Sequence, residues 1–233
     1  MKRFNLILTI IGGISVITAV GFVKSYTVEQ SVKNLSSKDT TVIVTPVLGL
    51  DTIVDVKGKK SLFIGDSQTS GYGWGWQDIL CKETGMRLTN TAVVGKHLPW
   101  MVNVAKTSIT SNYDYCFIYG GANDIHGNRN PYSVVKDVQK IVNMCNDKGV
   151  QPIVLTGFNA EECVRPIKGQ HFYPKAYTRY QTILMDSLKN VKIVDTRVVV
   201  RTDCADWTCH MKLSGHRKIA NAVIDQMNFK TIK

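Results

Sequence analysis

The 233-residue sequence lacks a basic run with interleaved aromatics, so a nucleic-acid partner is not expected. It has no internal repeat and no low-complexity tract, which removes solenoids and disordered chains. His97, His126 and His171 show no metal-ligand spacing. Cys204 and Cys209 stand before His210, but four residues separate them, where a haem attachment site has two. No metal or organic cofactor is expected. The six cysteines do not have the spacing of a small disulfide scaffold. Acidic residues are scarce: 18 against 29 Lys and Arg, a formal net charge of +11. After residue 60 the counts are 14 against 21, and the charges are scattered. That reads as a basic surface, or as attraction to an anionic envelope or polymer.

What is present begins with Lys2 and Arg3, followed by an uncharged, mostly apolar run through Val23, which Lys24 closes. About 20 such residues suffice to cross a hydrocarbon core, with the leading positive charges left inside. Ala19-Val20-Gly21 also offers small residues at the spacing of signal-peptide cleavage. Either reading places the remainder on the non-cytoplasmic side: membrane-anchored through residues 4–23, or secreted. Residues 1–24 are therefore expected to be a signal anchor or signal peptide. Residues 25–59 read as a linker leading into an extended strap over 40–56, with Pro46 at an edge, and residues 60–233 as one domain. Export permits disulfides, and Cys204 and Cys209 are close enough in sequence to pair.

From Lys60 the chain alternates strand-like and helix-like segments. Strands are expected at 62–64, 87–94, 113–119, 152–156 and 191–194. Helices are expected at 76–84, 98–108, 131–148 and 174–188, with a last one capped by Ser214. A loop is expected over 159–173. Such alternation implies an α/β fold: a three-layer α/β/α sandwich around a mostly parallel, five-stranded, flavodoxin-like sheet.

Four constellations fall at strand ends or just before the last helix. Gly65-Asp66-Ser67 ends the first strand and offers Ser67 as a nucleophile. Gly95 follows the second strand, where the missing Cβ lets its backbone N–H approach a ligand. Gly120-Gly121-Ala122-Asn123-Asp124 follows the third strand and offers the Asn123 amide to a developing oxyanion. Asp206-Trp207-Thr208-Cys209-His210 precedes Leu213-Ser214-Gly215-His216. Together these blocks resemble the SGNH, or GDSL-like, hydrolases, a superfamily of esterases, lipases and carbohydrate deacetylases. The resemblance spans about residues 60–230.

The resemblance implies a serine esterase with Ser67 as nucleophile and His210 as general base. It implies an oxyanion hole formed by the N–H groups of Ser67 and Gly95 and the amide of Asn123. One position departs from the pattern. The family's acid stands three residues before the histidine, where this chain has Trp207; Asp206 stands four before and Asp203 seven before. A one-residue bulge would bring Asp206 to the imidazole; otherwise a backbone carbonyl orients His210 and the site is a dyad. His216, in the last helix's first turn, reads as structural. Tyr72, Trp74, Trp76 and Trp100 follow the first two blocks and are candidates for a sugar-stacking or acyl-binding rim, with core packing as the alternative for the tryptophans. Aromatics near Ser67, a basic surface and export favour removal of acetyl groups from a surface glycan. The alternative is a catalytically weak or inactive relative serving as an envelope-associated or virion binding module.

Overall fold

The computed structural model describes residues 5–11, 14–20, 52–71, 73–164, 174–205 and 210–232. The chain divides into two units, Met1–Thr52 and Ile53–Lys233.

In the first unit, β1 (Asn5–Ile11) pairs antiparallel with β2 (Ile14–Val20), and Ile11 stands opposite Ile14. Nine of these fourteen residues are β-branched, which favours strand over helix. Within the apolar run, residues 5–11 and 14–20 thus pair as strands. Among the described residues, no helix is long and apolar enough to cross a membrane.

The second unit is built on five parallel strands: β3 (Lys60–Gly65), β4 (Arg87–Asn90), β5 (Tyr115–Tyr119), β6 (Gln151–Leu155) and β7 (Lys192–Val194). Their order in the sheet is β4-β3-β5-β6-β7. Phe63 aligns with Asn90 on one side and Phe117 on the other. The helices are α1 (Trp76–Thr84), α2 (Leu98–Ser108), α3 (Ala122–His126), α4 (Pro131–Asp147), α5 (Ala160–Cys163), α6 (Pro174–Ser187) and α7 (Leu213–Met227). One layer pairs α1 with α7; the other packs α2 on α4 and α4 on α6. This is the expected sandwich. The strand order reverses at β3, so the chain leaves β3 and β5 towards opposite faces. The crevice between their carboxyl ends is where open α/β sheets bind ligands.

Packing follows from the sequence pattern. From Ser61 to Gly65, β3 is buried, as is all of β5, because helices cover both faces. Phe63 stacks on Phe117 with ring centroids 4.7 Å apart, and Trp76 meets Phe63 edge-on at 5.3 Å. Gly85, with φ of 77°, ends α1 in the left-handed conformation. Pro131 opens α4 behind Asn130, whose side chain accepts from the Tyr132 N–H.

β4 and the last helix each differ from expectation at one boundary. β4 stops at Asn90, and Val93 and Val94 lie exposed in a loop. The Asn90 side chain accepts from Ala92 N–H at 3.0 Å and donates to the Thr69 carbonyl at 2.8 Å, which turns the chain off the ladder. The last helix starts at Leu213 behind Lys212, so Ser214 is inside it and is not its cap. Of the strap expected over 40–56, residues 40–51 lie outside the described residues; Val54 pairs with Phe229 in a parallel bridge.

Candidate active site

The turn carrying Ser67 is fixed from beneath. At Gly65 a Cβ would lie 2.7 Å from both Thr69 Oγ1 and the Tyr119 carbonyl, so only glycine lets the turn sit this close to β5. The Asp66 carbonyl accepts from Thr69 N–H and Ser70 N–H, each at 3.0 Å. Its Oδ1 accepts from Gln68 N–H at 3.0 Å, an Asx turn around the serine. Trp76 Nε1 donates to Thr69 Oγ1 at 3.3 Å. These bonds leave Ser67 half-buried with its Oγ at 3.3 Å from His210 Nε2.

His210 is held by backbone pairing. Its carbonyl accepts from Ala205 N–H at 2.6 Å, Lys212 N–H donates to the Asp203 carbonyl at 2.7 Å, and Cys204 bridges Met211. Both ends of segment 206–209 are thereby pinned together. Asp203 is committed elsewhere: its Oδ2 takes Lys218 Nζ at 2.7 Å and Val200 N–H at 3.1 Å. Asp206, the expected acid, lies outside the described residues, as does Cys209 of the suggested disulfide.

Two glycines and one amide stand on the segments that follow β4 and β5. Gly95 has φ of 72° and nothing within 4 Å of a Cβ position, so its backbone faces open space. Val93 N–H donates to the Gly65 carbonyl at 3.2 Å, which hangs the Gly95 loop beside the Ser67 turn. Asn123 Nδ2 donates to the Lys96 carbonyl at 3.0 Å and lies 3.5 Å from Asp66 Oδ2. One side chain thus ties the segments after β3, β4 and β5. Gly121 has φ of 102°, and a Cβ there would meet Tyr180 Oη at 2.6 Å; that hydroxyl donates to the Gly120 carbonyl at 2.9 Å. Among the described residues, nothing accepts from the N–H groups of Ser67 or Gly95. Two backbone donors are therefore free for a reacting carbonyl, while the Asn123 amide would have to exchange its Asp66 or Lys96 partner to join them.

Beneath Asn123 lies an ionic network that sequence reading missed. Asp124 is fully buried; its Oδ2 accepts from Leu98 N–H at 2.9 Å, and its Oδ1 pairs with Arg129. Arg129 Nη2 reaches Asp137 at 2.8 Å, and Lys140 reaches the other oxygen of Asp137 at 2.8 Å. The short helix α3 is therefore clamped to the start of α2 and to α4. Its only sequence signal was the adjacent acidic residue of the Asn-Asp pair.

Asp66 is 1% exposed. Burial pushes its carboxyl up to about 7; the Gln68 N–H and His210 pull it down, and the charge on Asp124 raises it further. A raised acid favours the protonated folded state, so this contribution to stability is whole below the unfolded value of about 4. It is lost as pH rises through about 7. Asp66→Asn is therefore expected to flatten the fall in stability between pH 4 and 7, by a slope of up to about 1.4 kcal/mol per pH unit. Urea unfolding across that range checks it; parallel curves for parent and variant would contradict the assignment.

The aromatic rim divides. Trp76 is wholly buried against Phe63, Phe117 and Tyr119, which corrects its placement on the rim: it is core, and it supports the Ser67 turn through its indole N–H. Trp74 is 53% exposed. Trp100 is half-buried beneath the Lys96 ammonium, 5.6 Å from the ring centroid. Tyr72 lies outside the described residues. His216 is buried, its Nδ1 accepts from Trp76 N–H at 3.2 Å, and burial pushes its pKa down to about 4. It is a neutral acceptor at the amino end of α1, in keeping with a structural role. Among the described residues, no group of three His, Cys, Asp or Glu is placed to hold a metal ion.

No family model matches the sequence, and no curated protein matches it. Solved structures do. A lipolytic protein of the G-D-S-L family from Veillonella parvula DSM 2008 is 20% identical, with TM-score 0.55, covering 72% of this chain and 97% of its own. A catalytic mutant of an acetylxylan esterase from Geobacillus stearothermophilus is 17% identical, with TM-score 0.61, covering 77% and 98%. A GDSL-like lipase from Bacteroides thetaiotaomicron VPI-5482 is 12% identical, with TM-score 0.59, covering 72% and 87%. At these identities the likeness establishes the fold, a parallel α/β sandwich shared with these three structures.

Proposed function

We propose that the protein is a serine ester hydrolase. The observation that carries this reading is the 3.3 Å approach of Ser67 Oγ and His210 Nε2, brought together from 143 residues apart at the crevice where the strand order reverses. His210 Nε2 takes the proton as Ser67 Oγ attacks the ester carbonyl. The N–H groups of Ser67 and Gly95 and the Asn123 amide stabilise the tetrahedral oxyanion. His210 then gives the proton to the leaving alcohol oxygen. Water, deprotonated by the same imidazole, releases the acid and restores Ser67. Asp206 is assigned to orient His210 through its other nitrogen.

The substrate class is an O-acetylated glycan. The exposed ring of Trp74 and the half-buried ring of Trp100 suit sugar stacking, and acetylxylan esterases share the fold. Export, with residues 4–23 as anchor or leader, is part of this reading and rests on the sequence alone.

Incubation of the full chain with a fluorophosphonate tests the activity. The expected result is a single phosphonylated peptide containing Ser67, because only a serine with a working base reacts at neutral pH. An unlabelled, folded protein would instead support the binding-module reading, which Trp207 at the family's acid position favours.

A further inference from the structure

Beside their line of contact, α1 and α7 leave a groove of about 920 Å³. That is within the range of built ligand sites, about 300–1,000 Å³. One wall is a face of α1 and the other is Leu213, Arg217 and Asn221, successive turns of α7. Trp74 stands at the end nearer the site, one residue before the cap of α1. It is seven residues beyond Ser67, and Leu213 is three beyond His210. The Trp74 and Leu213 end of the groove is thus built from the segments that follow the reacting pair in the chain.

Its chemistry is specific. The chain carries a net charge of +11, yet the groove balances Asp78 and Glu83 against Lys82 and Arg217. An anionic polymer gains no net attraction there, whereas hydroxyl groups find both donors and acceptors. The Trp74 ring meets His216 edge-to-face at 5.0 Å and 88°. His216 is itself fixed by the Trp76 N–H, so the indole is braced while more than half of it stays exposed. An aromatic plate fixed at its edge suits the apolar face of a sugar. The Arg217–Glu83 pair, at 3.3 Å, is exposed and holds the groove only weakly, so a hydroxyl can enter between its partners.

We infer that this groove binds a neutral oligosaccharide strand, the sugars that follow the ester-bearing unit lying along it from Trp74 towards Asn221. The inference rests on the esterase reading for its direction but is tested by binding alone. Full-length Ser67→Ala protein is titrated calorimetrically with hexasaccharides and disaccharides of β-linked xylose, glucose and N-acetylglucosamine, and with an anionic heparin hexasaccharide. At least one neutral hexasaccharide is expected to bind at least tenfold more tightly than its disaccharide. Trp74→Ala, which removes the plate, and Asn221→Trp, which fills the far end, are each expected to abolish that tenfold advantage. Both positions are exposed; Trp74→Ala gives up the edge contact with His216, so a thermal midpoint for each variant accompanies the titration. Three results would overturn the inference: no neutral hexasaccharide binding, equal affinity for short and long chains, or tighter binding of the heparin fragment. A length advantage that survives both substitutions would also refute it. Failure of fluorophosphonate labelling bears on the esterase reading and leaves this titration to be judged separately.

Discussion

Alanine at Ser67 is expected to lower turnover of a small aryl ester by roughly 10⁴- to 10⁶-fold. His210→Ala is expected to cost nearly as much, and the double variant no more than the worse single one. The reason is the 3.3 Å contact: proton removal and attack are one event, so deleting either partner deletes both. What persists in each variant is the contribution of the oxyanion donors and of binding. Neither change should disturb the fold. Ser67 is half-buried and His210 exposed, and the turn is held by Asp66, Thr69 and Asn90, not by the serine hydroxyl. Steady-state rates of the three variants, with thermal midpoints matched to the parent, decide the matter. Additive losses would mean that the two side chains do not act as a unit.

Arg129→Ala is expected to destabilise the domain by about 3–5 kcal/mol, because it strips the guanidinium from a fully buried carboxylate at Asp124. For a domain of this size that is a fall of roughly 6–20 °C in the thermal midpoint. The double variant Asp124→Asn, Arg129→Leu removes the charge along with its partner and is expected to recover part of the loss. Thermal unfolding of parent, single and double variants tests this. If the double is no better than the single, packing of the Arg129 stem outweighs burial of charge. The single variant should also lose activity while folded, since Asn123 is the neighbour of Asp124 on the same short helix.

The long elements were open to sequence reading because their signals are local. α1 and α2 lie where the apolar spacing places them, and Gly85 and Pro131 mark an end and a start through their own backbone preferences. The order of the four polar blocks was equally plain, since each follows a buried strand or precedes the last helix. What escaped depends on distant partners. α3 is five residues long, too short for a helical period, and exists because Asp124 caps α2 and meets Arg129. Val93 and Val94 are strand-forming residues, but the Asn90 side chain draws the chain away before them. Trp76 carries an indole that suits a rim or a core equally, and only the position of Phe63 and Phe117 decides it. In residues 5–20 hydropathy fits a membrane span, while β-branching fits the paired strands observed. Asp66 reads as turn chemistry, and its burial beside a second carboxylate has no trace in its neighbours along the chain.

Synthesis delivers Ser67 143 residues before His210. A nascent chain thus carries Ser67 long before His210 is made, and no fragment ending ahead of His210 holds the pair. The latch closes later still: Val54 N–H donates to the Asn228 carbonyl at 2.7 Å, and Lys230 N–H returns to the Val54 carbonyl at 2.9 Å. Val54, ahead of the first strand of the sheet, therefore waits for Asn228 and Lys230. Such a topology lets Ser67 meet His210 only after every segment between them has been made, so the pair at the crevice is a product of the whole intervening fold.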